Sequence, residues 1–105
     1  MQFSAENSSE QSVVVTIKGE LDANSAPSVR NQIDAIVDAQ PAIVEIDLSS
    51  LRLIDSTGVG AIVSFFKRTR AYGGQFKVFG VQGQPRSIFE LLRLDRVFGL
   101  AAVRS

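Results

Sequence analysis

With 105 residues, 45% hydrophobic and 21% charged, the chain has the size and composition of one globular domain (residues 1–105) with a single core, and it is too apolar to be disordered. It contains neither cysteine nor histidine, which excludes disulfide stapling, thiolate chemistry, Ser-His-Asp and Cys-His catalysis and the usual zinc sites. Net charge is zero but uneven: residues 1–55 hold three basic and nine acidic side chains, residues 56–105 eight and two, so the halves either pair within the fold or leave a basic surface for an acidic partner.

The opening "MQFSAENSSEQS" is polar where a signal peptide would carry its apolar region, and no apolar run approaches the ~20 residues that span a bilayer. A cytoplasmic protein without membrane insertion is expected. The first strand signal is "VVVTIK" (13–18), β-branched and bounded by Ser12 and Gly19, and the segment before it could add an antiparallel edge. "GELDANSAP" then turns into a helix, with Ser25 as N-cap, Pro27 in the first turn, and a stripe of Val29, Ile33, Ile36 and Val37. Pro41 ends it. A strand follows at 42–48, where Ile43, Glu45 and Asp47 alternate with Val44, Ile46 and Leu48.

After "SSLRLI" comes "DSTGVG" (55–60) and a second helix with a stripe of Val59, Ile62, Val63 and Phe66, closed by "YGG" (72–74). "QFKVFGV" (75–81) alternates as a strand. "QPRSIFELLRL" (84–94) reads as a third helix with Ile88, Leu91 and Leu92 on one face, and "VFGLAAV" (97–103) as a short closing edge strand. Phe65, Phe66, Phe76 and Phe79 read as core and sheet packing, and "KRTR" (67–70) as a solvated helix end suited to the dipole. Strands alternating with helices imply a small α/β domain with a mostly parallel sheet and right-handed crossovers.

Chemistry is scarce. "GVGAIV" lacks the third glycine and the later acid of a dinucleotide site, and no lysine-terminated P-loop is present. Ser56 has no imidazole to take its proton, and Asp47 with Asp55 is too sparse a set for a metal, so an enzyme is not expected and no metal or cofactor is called for. No aromatic-interleaved basic footprint for nucleic acid is visible, and the pI is about 6.2. Two readings of "DSTG" stay open. In one, Asp55, Ser56 and Thr57 are helix-capping residues and Gly58 and Gly60 permit a tight turn. In the other, a phosphate on Ser56 is tolerated by a helix N-terminus yet repels a partner docked over the bare glycines.

"GELD", "DLSSLRLIDSTGVG" and "YGGQFKVFGVQGQPRSIFELLRL" together resemble the STAS family, the anti-sigma-factor antagonists of bacterial partner-switching systems, over roughly residues 12–100. The resemblance implies a STAS-type α/β fold: a mixed, mostly parallel sheet of four to five strands with three or more helices mainly on one face. It implies Ser56 as phosphoacceptor, with Thr57, which replaces a serine of some members, as second choice. Gly19, Glu20, Leu21, Asp22, Asp55, Ser56, Thr57, Gly58 and Gly60 would form the partner-binding surface. The implied partners are a kinase-type anti-sigma factor or equivalent regulator, and a PP2C-type phosphatase that reverses the mark. The alternatives within the family are a regulatory subunit of a lipid- or solute-transport ATPase, a stressosome-like assembly component, and a partner switch with an output such as biofilm control.

Overall fold

A computed structural model describes residues 1–99. Strand β1 (Gln2–Ser9) lies antiparallel to β2 (Ser12–Leu21), and helix α1 (Ala26–Asp38) crosses to β3 (Ile43–Asp47). Strand β4 (Leu51–Ile54), helix α2 (Ser56–Ala71), β5 (Gln75–Phe79), α3 (Gly83–Leu91) and α4 (Leu94–Val97) follow. The sheet runs β1-β2-β3-β5, every pair after the first being parallel. The result is the mixed, mostly parallel five-stranded α/β architecture expected.

Besides β1, strand β2 serves two parallel neighbours. Its first half, Ser12–Thr16, pairs with β3, and its last three residues, Gly19–Leu21, pair with β4. The register shifts at Gly19, whose φ of 93° is left-handed and whose N–H donates to the Ser50 carbonyl at 3.0 Å. The strand therefore runs past the sheet centre and delivers the "GELD" residues to the end where β4 stops and α2 begins.

The core follows the alternation in sequence. Val13, Val15 and Ile17 of β2, Val44 and Ile46 of β3, and Phe76 and Val78 of β5 are buried, as are Val29 and Ile33 of α1 and Val59, Ile62 and Phe65 of α2. Helices α1 and α2 pack side by side. An Arg68–Asp34 ion pair joins them and links the basic and acidic halves of the chain, whereas the Arg52–Glu20 pair stays within the acidic half.

Several expectations need correction. Ser25 sits at the N-cap position of α1, but its hydroxyl serves the preceding turn and makes no cap bond. Helix α3 stops at Leu91 and Arg93 turns left-handed at φ 63°, so the buried face is Pro85 and Phe89 with Ile88 beside them, while Leu91 is 77% exposed and Leu92 is exposed too. Gly80, at φ 77°, ends β5 two residues early. Phe79 points outward, 43% exposed. The closing segment is not a strand where it is described: Val97 ends α4 and Phe98 caps it, while 100–103 lie outside the described residues. Phe98 instead enters the core, with its ring centroid 5.4 Å from Phe66 and 5.6 Å from Phe89. Among the described residues, no helix is long and apolar enough to cross a membrane.

Candidate functional site at the start of helix α2

Two turns meet at the end of β2. In the first, Asp22 Oδ1 accepts from the N–H groups of Asn24 (3.0 Å) and Ser25 (3.1 Å), and the Ser25 hydroxyl accepts from the Asp22 N–H (3.0 Å) and donates to the Glu20 carbonyl (3.1 Å). This is the local side-chain-to-backbone bonding that Asp and Ser favour in turns. The second turn leads from β4 into α2. Its N-cap is Asp55, extended at φ −110° and ψ −176°, with Oδ1 accepting from the Gly58 N–H at 2.9 Å.

Asp55 also joins the two turns. Its second carboxylate oxygen accepts from the Ala23 N–H at 3.2 Å, and its own N–H donates to the Leu21 carbonyl at 3.2 Å. The "GELD" and "DSTG" segments, 32 residues apart in sequence, thus form one surface. Of the residues expected there, Glu20, Asp55, Ser56 and Thr57 are exposed, and Gly19, Asp22 and Gly60 partly so. Leu21 and Gly58 are buried and support the surface from beneath.

Ser56 is the first residue of α2. Asp55 does the capping, and among the described residues neither the Ser56 nor the Thr57 hydroxyl forms a hydrogen bond. The one adjacent carboxylate is committed to two backbone N–H groups, a poor arrangement for a general base. An anion on Ser56 would sit at the favourable end of the helix dipole, worth ~0.3–1 kcal/mol at an exposed site. Asp47 is occupied elsewhere, accepting from the Ser49 N–H at 2.9 Å, and no metal-binding group of acids occurs among the described residues.

Beside Ser56 lies a shallow cleft of about 290 Å³ between Glu20, Asp22, Asp55 and Gln84, floored by Leu21 and Ile54. Leu53 stands at its rim, 48% exposed. Gln84 closes its far side by pairing with the β4 backbone, Nε2 donating to the Ile54 carbonyl and Oε1 accepting from the Ile54 N–H, both at 2.9 Å. Sequence reasoning missed Leu53 and Gln84. The available signal was the apolar Leu53 between Arg52 and Ile54 in a strand too short to show alternation.

Residues 4–104 match the STAS domain family. The chain is 30% identical over 93 residues to the anti-sigma-B factor antagonist of Bacillus subtilis, covering 89% of this chain and 84% of that protein. Its fold superposes on the crystal structure of an anti-sigma factor antagonist from Mycobacterium paratuberculosis with a TM-score of 0.82 and 26% identity, over 97% of this chain and 86% of that one. The Bacillus cell fate determinant SpoIIAA in its phosphorylated form shares the fold at a TM-score of 0.75 and 22% identity, over 90% and 86% of the two chains.

Proposed function

Since the chain belongs to the STAS domain family, we propose that it is an anti-sigma factor antagonist that works as a phosphorylation-controlled partner switch. In the unphosphorylated state the joined turns bind a serine-kinase anti-sigma factor or an equivalent regulator. A phosphate on Ser56 ends that binding, and a phosphatase restores it. One observation carries the reading: the Ser56 hydroxyl is exposed and spare, because Asp55 already caps the helix. A phosphate there adds about −1.5 to −2 charges without removing a bond the fold needs. On the partner's side the same phosphate brings bulk and like charge into a surface already bearing Glu20, Asp22 and Asp55.

The test is capture from lysate of the source organism with wild-type, Ser56→Ala and Ser56→Asp baits, read by mass spectrometry. A kinase-type ATPase held by wild type and Ser56→Ala, and weakened at least tenfold by Ser56→Asp, is the expected result. A transport ATPase held equally by all three would make Ser56 a bystander and favour the regulatory-subunit alternative.

A further inference from the structure

A cation of α1 faces the row of α2 that carries Ser56. Arg30 of α1 lies over Gly60, its Nη2 3.5 Å from where a Cβ on that glycine would stand. Ser56 and Gly60 are four residues apart and so stand one turn apart on one helix face, with side-chain origins about 5–6 Å apart. Two and three turns on, Ser64 and Arg68 continue the row, and Arg68 meets Asp34, one turn beyond Arg30 on α1. The two helices therefore run in the same direction with facing rows. Helical side chains lean toward the N-terminus, which carries the Arg30 stem toward the end where Ser56 stands. Gly60, lacking a side chain, leaves the space between open.

Among the described residues Arg30 also lacks an ion-pair partner. Arg52, Arg68 and Arg86 each meet a carboxylate, whereas Arg30 forms no ion pair among the described residues. We propose that Arg30 is a positioning residue for phosphoserine 56, its planar guanidinium receiving two phosphate oxygens in charge-assisted hydrogen bonds within the same chain. The inference rests on the reading of Ser56 as phosphoacceptor and deepens it. Modification then changes the surface twice: an anion is added, and a cation that stood free beside the turn is drawn onto it.

The charged groups around the phosphate are Asp55 at the cap, Asp22 and Glu20 across the joined turns, and Arg30 from α1. The acids raise its second pKa and Arg30 lowers it. The experiment uses full-length protein with phosphoserine installed at position 56 by genetic-code expansion, so neither kinase nor partner is needed. Phosphorus NMR follows the titration in the wild-type background, in Arg30→Gln and in Lys67→Gln, a charge control farther along α2. The phosphate of the wild-type background should titrate below Arg30→Gln by about half a unit or more, around the usual value of about 6, with Lys67→Gln unchanged. Coincident curves for wild type and Arg30→Gln, or an equal shift in Lys67→Gln, overturn the assignment. Failure of the switch itself would show separately, as undiminished partner capture by the phosphoserine protein whatever the titration reports.

Discussion

At position 58 the α2 backbone passes so close to β2 that a Cβ would stand 2.5 Å from the Leu21 carbonyl oxygen, 2.8 Å from Ile54 Cγ1 and 2.9 Å from Leu21 Cγ. That carbonyl is already fixed by the Asp55 N–H, so neither side can give way cheaply. Gly58→Ala should therefore cost on the order of 2–3 kcal/mol, seen as a lower urea midpoint. Gly60 differs. Its Cβ would meet only the flexible tip of Arg30 at ordinary contact distance, and alanine is the better helix former, so Gly60→Ala should be neutral or up to about 1 kcal/mol stabilising. The reverse order would mean that α2 does not rest on β2 as described. In sequence these two glycines look alike, as the ends of one G-V-G. What separates them is the nearness of Leu21, 37 positions earlier in the chain, which no local pattern records.

At the scale of elements, strands β2, β3 and β5 and helices α1 and α2 were legible because their apolar spacing follows one period long enough to see. β4 is four residues long with only its ends buried, so it shows no alternation. Leu91 and Leu92 misled for the opposite reason: their spacing continues the helix, but the chain turns at Arg93 before they can reach the core. The joined turns were legible as two motifs and not as one site, since their contact depends on side-chain bonds across the fold. "YGG" is another case where an element boundary has a tertiary use. Tyr72 donates its hydroxyl to the Pro41 carbonyl at 2.7 Å, tying the end of α2 to the start of β3, and Gly74 leaves room for the ring. Burial raises the Tyr72 pKa above its ordinary 10, partly offset by the Thr69 hydroxyl. A raised folded-state value means the contribution is intact below about pH 10 and is lost as pH rises through the folded-state pKa. Tyr72→Phe should cost ~1 kcal/mol at neutral pH, and its deficit against wild type should shrink in strongly alkaline urea titrations. A deficit independent of pH would show that the hydroxyl is not the tie.

Across the whole molecule, the aromatic rings bind the last helix to the first layers of the core. Phe76 of β5 lies between Phe65 and Phe66 of α2, at 5.2 and 5.5 Å, and Phe98 connects that group to Phe89 of α3. Phe98 is buried although it follows a helix of only four residues. Phe98→Ala should cost about 3–5 kcal/mol, a large share of the ~5–15 kcal/mol that holds a domain folded, while thermal unfolding stays a single transition. A loss below ~1 kcal/mol would mean that the Phe98 ring is dispensable to the core. At the start of α2, the Asp55 carboxylate fastens the first turn of that helix to the turn after β2, so the backbone on both sides of Ser56 is tied together. If Ser56 is the phosphoacceptor and Arg30 its clasp, as proposed, switching asks for no backbone rearrangement, only a new rotamer of an exposed arginine, a motion of nanoseconds. The tempo of such a device would belong to whatever writes and erases the mark, not to the domain.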